Sequence, residues 1–132
     1  RSGDDECILG VGKQVAACEQ AAALLAAAGV GATVWDVRVA APLDPDMIDD
    51  ARRHKVVLTA EDGVVEGGVG ALVASALAHG ERSGVAPRVV TCGVPLAYVP
   101  HGHPADILSQ LGLDAAGLSA TVLDALEGAA RP

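Results

Sequence analysis

The sequence predicts a three-layer α/β domain, and three observations predict it. Short apolar runs alternate with stretches whose apolar residues recur every three or four positions, the order expected of strands followed by helices. The run Lys55-Val56-Val57-Leu58-Thr59-Ala60-Glu61 is apolar along its middle rather than alternating, as in a central parallel strand covered on both faces. The 132 residues are 51% apolar, enough for the core of one domain, yet they include no Phe, one Trp and one Tyr. A core of Ala, Val and Leu suits close packing of helices on a sheet.

The elements follow in order. Cys7 to Gly12 reads as a buried strand ending in a glycine turn. Val15, Cys18, Ala22 and Leu25 then form one helical stripe between Lys13 and Ala28, closed by Gly29. Ala32–Val37 is strand-like, with a β-branched pair before Trp35. Asp44 is an N-cap for a helix with Pro45 at its first position and Asp46 in its first turn. Arg52, Arg53 and His54 lie at that helix's other end, where the dipole favours positive charge. After the strand 55–61, a helix begins near Gly70, with Leu72, Val73, Ala76 and Leu77 as its stripe. Arg88–Cys92 is the next strand, and a Pro/Gly/His loop runs from Gly93 to His103. Pro104 opens a helix toward Leu111. Ser119 is the expected N-cap of the last helix, whose inner face holds Val122, Ala125 and Leu126.

Composition excludes several function classes. A formal net charge of -8 repels phosphate backbones and anionic lipid heads, and two aromatic residues give no stacking platform for single-stranded nucleic acid. Neither a nucleic acid nor a membrane is therefore an expected partner, and no apolar run approaches the roughly 20 residues of a bilayer span. Cys7, Cys18 and Cys92 are odd in number and widely spaced, so they read as reduced core residues of a cytoplasmic protein. The first strand starts almost at once after Arg1–Glu6, which has no signal-peptide character, as expected of a domain cut from a longer chain.

Each candidate for chemistry meets a plainer reading. Gly10-Val11-Gly12 lacks the third glycine of a dinucleotide fingerprint, because Val15 stands there, and Gly12-Lys13 lacks the rest of a P-loop. Gly67-Gly68-Val69-Gly70 opens a helix whose N–H groups could hold an anion. Glu61, Asp62 and Glu66 lead into that turn and oppose an anion, so the glycines are expected to allow close packing instead. His101-Gly102-His103, even with His54 or His79, falls short of a matched set of zinc ligands, and no metal site is expected. Glu61 and Asp62, adjacent on a strand, point to opposite faces and do not form a carboxylate dyad. No serine sits in a nucleophile elbow. These residues taken alone assign no catalytic and no cofactor-binding residue.

Three stretches in order resemble a known family. Pro42-Leu43-Asp44, then Glu61-Asp62-Gly63 with Gly67-Gly68-Val69-Gly70, then Gly93-Val94-Pro95, His101-Gly102 and Leu111-Gly112-Leu113-Asp114-Ala115-Ala116-Gly117-Leu118 resemble the C-terminal domain of transketolase-family enzymes. The His101-Gly102 pair and the Gly112-Leu113-Asp114-Ala115 segment are most like the 1-deoxy-D-xylulose-5-phosphate synthase branch. Gly63 in place of Asn, and Leu96 in place of an acid after Pro95, depart from it. Another transketolase-like enzyme, a 2-oxo acid dehydrogenase E1 β subunit and a free-standing small-anion-binding module are the alternatives. The resemblance implies a mixed, mostly parallel five-stranded sheet. It implies a homodimeric thiamine diphosphate- and Mg²⁺-dependent transferase whose upstream domains hold the cofactor. That enzyme joins pyruvate to glyceraldehyde 3-phosphate with loss of CO₂, for isoprenoid precursors, and the isolated chain is expected to be inactive. It further implies that Glu61, Asp62, Gly67, Gly68, Gly70, His101 and Gly102 serve interdomain or subunit contacts or an anion site, with no catalytic, cofactor or metal ligand in this domain.

Overall fold

The computed structural model describes residues 5–79 and 86–129. Among these, the order is β1 (Glu6–Val11), α1 (Gln14–Ala27), β2 (Ala32–Val37), α2 (Pro45–Ala51), β3 (Val56–Val64), α3 (Val69–His79), β4 (Arg88–Val94), α4 (Pro104–Gln110) and α5 (Ala115–Ala129). The strands form one sheet in the order β2-β1-β3-β4, and every pairing is parallel. Ile8 lies between Val34 and Leu58, and Leu58 in turn lies beside Val90.

The sheet therefore has four strands among the described residues, where a mixed sheet of five was expected. Beyond β4, Pro95, Pro100 and Pro104 punctuate the chain within ten residues, and a proline removes a donor from any ladder it enters. No antiparallel strand forms there. β4 pairs with β3 and, among the described residues, with no other strand.

Alternation along β1 and β3 separates two cores, as a parallel sheet with helices on both faces requires. Ile8, Leu58 and Ala60 pack with Cys18, Ala21, Ala22 and Leu25 of α1 and with Leu118 and Val122 of α5. Cys7, Leu9 and Val57 pack on the other face with Met47, Ile48 and Ala51 of α2 and Val73 and Leu77 of α3. Small residues let α1 sit close to the sheet. A Cβ added to Gly10 would come within 2.9 Å of the Val15 Cα and 3.0 Å of the Cys18 Sγ.

Most helix signals match their expected places. The Asp44 carboxylate accepts from the Asp46 N–H at 2.9 Å, with Pro45 at the first helical position. Gly29 follows the end of α1 with φ +82°, a conformation L side chains rarely adopt. Two expectations fail. Leu72 is exposed, because Val69, Val73, Ala76 and Leu77 make the inner face of α3. Ser119 is not the cap of the last helix. It lies inside α5 and donates its hydroxyl proton to the Ala116 carbonyl at 2.9 Å. Asp114 does the capping, accepting from the Gly117 N–H at 2.8 Å, one turn before the expected start.

Candidate functional site at the carboxyl edge of the sheet

In an open parallel sheet the carboxyl ends of the strands share one edge, where α/β proteins build their sites. Here that edge carries the turn from Glu61 to Gly70 and the loop after β4. Glu61 is nearly buried, at 5% exposure, on the face of β3 that α3 covers. Its two carboxylate oxygens accept from the Val69 and Gly70 N–H groups, each at 3.0 Å. A helix leaves its first N–H groups without internal partners and carries partial positive charge at that end. Glu61 answers both, from eight and nine residues upstream.

The glycines fit around that carboxylate. A Cβ on Gly68 would run into the Glu61 side chain and the Val64 carbonyl, and one on Gly70 would run into the Thr59 hydroxyl on β3. Gly67 has φ +75°, so the turn itself requires a glycine there. Close packing is thus found at Gly68, against Glu61, and at Gly70, against the sheet, while Gly67 has open space around it. The helix end that could have held an external anion holds the chain's own carboxylate, and a phosphate placed there would face a buried negative charge.

Asp62 points the other way, as alternation demands. It is exposed and meets Lys13, at the start of α1, at 2.8 Å. Gly93 at the end of β4 closes against the same turn. A Cβ there would lie 2.9 Å from the Gly63 carbonyl oxygen, and the Val65 N–H donates to the Val94 carbonyl at 3.0 Å. The loop beyond is open to solvent: Leu96 is 73% exposed and Tyr98 90% exposed. His101 and Gly102 are exposed in the same loop. His103 caps α4, its Nδ1 accepting from the Ala105 N–H at 3.4 Å. The fold thus brings Glu61, Gly68 and Gly70 into contact and leaves His101 and Gly102 on the flank.

Sequence reasoning missed a second grouping, at the opposite edge. Cys7, Asp50 and His54 come together where β1 starts and α2 ends. Asp50 and His54 are spaced four apart, the one local signal available. Cys7, more than forty residues away, joins them through the sheet topology. His54 is therefore far from His101 and His103, with which it had been considered.

The comparisons with known proteins agree with this architecture. A family model described as transketolase, C-terminal domain, matches residues 1–125. A 1-deoxy-D-xylulose-5-phosphate synthase of Magnetococcus marinus is 33% identical over 96% of this chain and 20% of that protein. One from Methylibium petroleiphilum is 43% identical over 76% of this chain and 16% of that protein. One from Gloeobacter violaceus is 39% identical over 96% of this chain and 19% of that protein. Among solved structures, one described as a split-gene transketolase, inactive β4 tetramer, superposes with a TM-score of 0.83 at 32% identity. That match covers 95% of this chain and 40% of the other. Transketolase from Campylobacter jejuni shares the fold, with a TM-score of 0.64 at 14% identity over 92% of this chain and 17% of that one. The chain spans about a fifth of the length of the synthases it matches. With the family model over nearly its whole length, it belongs to the transketolase C-terminal domain family.

Proposed function

We propose that this chain serves as the C-terminal domain of a 1-deoxy-D-xylulose-5-phosphate synthase, supporting assembly rather than chemistry. The parent enzyme condenses pyruvate with glyceraldehyde 3-phosphate and releases CO₂, in the cytoplasm, as a homodimer. Relatives bearing that name, at 33–43% identity, support the reading.

The observation that carries the assembly role is the state of the carboxyl edge. Glu61 is spent on the Val69 and Gly70 amides, while Leu96 and Tyr98 stand exposed in the loop that follows β4. Large apolar side chains exposed at the edge that also carries a self-satisfied polar turn are the chemistry of a docking surface. Thiamine diphosphate and Mg²⁺ belong to the parent, and the residues present here do not fit them. The glycine-rich helix end, a place of the kind that cradles a diphosphate, is closed by the Glu61 carboxylate. No step of the reaction runs through this domain's side chains. Its role is to hold the upstream domains and the second subunit in place.

The test is to compare the full-length parent with this chain alone. Full-length protein supplied with thiamine diphosphate and Mg²⁺ is expected to form 1-deoxy-D-xylulose 5-phosphate from the two substrates, and the isolated chain to form none. A full-length parent that is folded and cofactor-loaded but turns over other 2-oxo acids instead would overturn the assignment.

A further inference from the structure

At the amino-terminal edge of the sheet, three metal-ligating side chains converge from β1, from α2 and from the turn after α2. Cys7 on β1 is fully buried, and His54, just past α2, is 7% exposed. Asp50, on the last turn of α2, lies between them. One ligand atom from each, the Cys7 Sγ, an Asp50 carboxylate oxygen and a His54 ring nitrogen, all lie within 4.8 Å of one another. Tetrahedral zinc with bonds of about 2.0–2.3 Å sets its ligand atoms roughly 3.3–3.8 Å apart, so closure asks for about 1 Å of side-chain movement.

We propose that Cys7, Asp50 and His54 form a binding site for one divalent transition-metal ion of the zinc class. The donor set is right for that class: a cysteine sulfur that gives up its proton as the metal binds, an imidazole and a carboxylate. Thiolate and carboxylate together neutralise a divalent ion, so the loaded site carries no net charge into a buried place.

The surroundings orient the ligands as metal sites require. The His54 Nδ1 lies 2.9 Å from the Asp50 backbone carbonyl, which fixes the ring and selects the tautomer protonated at Nδ1. The Trp35 indole N–H donates to Asp50 Oδ2 at 2.8 Å and holds the carboxylate from the β2 side. Of the three, His54 also lines a cavity of about 810 Å³, beside Asp5, Arg52, Arg53, Lys55 and Arg88.

Nearby cations do not close the site. Arg52 is turned to Asp49 at 2.9 Å and to the Ala76 carbonyl at 3.0 Å. Arg53 stands 3.9 Å from the Asp50 carboxylate, with its side chain 77% exposed to solvent. Glu6 adds no ligand, because it follows the opposite alternation on β1 and faces α1 and α5. This site lies at the other end of the sheet from the docking surface and does not depend on the parent's activity.

The test is to titrate the full 132-residue chain, stripped of metal, with Co²⁺ and then with Zn²⁺. One equivalent of Co²⁺ is expected to give a thiolate-to-cobalt charge-transfer band with intense tetrahedral d–d bands, both abolished by one equivalent of Zn²⁺. Cys7→Ser removes the charge-transfer band, and Cys92→Ser leaves it. Trp35→Phe, which frees the carboxylate without touching a ligand, weakens Co²⁺ binding about tenfold. Circular dichroism establishes that each variant is folded. Should Cys7→Ser fail to fold, Asp50→Asn takes its place and is expected to weaken binding at least tenfold while keeping the thiolate band at saturation. Absence of a charge-transfer band in the unaltered chain, or binding unchanged in Cys7→Ser or Asp50→Asn, overturns the site.

Discussion

Glu61 and Gly70 are joined by a 3.0 Å hydrogen bond that ties the end of β3 to the first turn of α3. With its companion to Val69, it makes one buried side chain the cap of a helix that has no capping residue beside it. Glu61→Ala is therefore expected to destabilise the chain by about 2–3 kcal/mol, the range for hydrogen bonds to a charged group. Urea unfolding of the isolated chain measures this, and the loss should appear as a lower midpoint at unchanged slope. A loss below about 0.5 kcal/mol would mean that water caps α3 equally well.

Gly68→Ala tests the same joint from the other side. The new methyl group meets the Glu61 carboxylate and the Val64 carbonyl, and overpacking of this kind costs about 1–3 kcal/mol. In the double variant Glu61→Ala/Gly68→Ala the carboxylate is no longer in the way. The combined loss is expected to fall short of the sum by about 1 kcal/mol, as for residues in contact. Strict additivity in urea unfolding would show that the clash is with the backbone alone.

Asp114, rather than Ser119, caps α5. Asp114→Ala is expected to cost about 1 kcal/mol in thermal or urea unfolding, the usual worth of a cap, and Ser119→Ala distinctly less. Hydrogen bonds from Ser109 and from the Gly117 amide hold the Asp114 carboxyl below its ordinary value. Its contribution is thus present above the ordinary carboxylate pKa and is lost as pH falls through the lowered one. The unaltered chain and Asp114→Ala should therefore converge in acid.

Glu6 gives the opposite pH dependence. It is fully buried, and neither carboxylate oxygen has a hydrogen-bond partner among the described residues. Burial first, and the charge of Asp5 second, push its carboxyl up to about 8 from an ordinary 4.5. The unfolded chain releases this proton while the folded chain still holds it, so stability is fullest below about pH 4.5 and declines as pH rises through about 8. Glu6→Gln is uncharged throughout and should flatten that decline. Melting temperatures of the two chains are expected to differ most near pH 8, with the variant higher. Parallel curves would place the pH dependence elsewhere.

Leu96 and Tyr98 are the side chains assigned to docking. Leu96→Ser with Tyr98→Ser should leave the melting temperature of the isolated chain within about 2 °C, since neither residue is buried in it. In the full-length parent the pair should weaken assembly, read by sedimentation, and lower turnover with it. An unchanged parent would remove this loop from the interface.

Local chemistry made most of the fold legible. Asp44 with Pro45, the Gly29 stop and the apolar run from Val56 to Ala60 each carry their reason within a few residues. Ser119 misled because it satisfies the local rule for a cap, and Asp114 satisfies it one turn earlier, within the Gly112-Leu113-Asp114 turn. Leu72 misled because a shift of one residue moves a helix face by about 100°. At the carboxyl edge the glycines announced close packing, but that Glu61 would be their partner depends on β3 running on to Val64. The grouping of Cys7 with Asp50 and His54 was hidden for the same reason. Its members meet only once β1 and α2 are laid side by side.

β4 is bonded on one side by β3, and after the charged Arg88 at its start it carries Val89, Val90, Thr91 and Cys92 with no further charge and no proline. Soluble proteins usually blunt such a strand with charge, proline or a covering element. An edge of β-branched residues that no other strand pairs with among the described residues is adhesive. The chain on its own should therefore become sticky as its concentration rises.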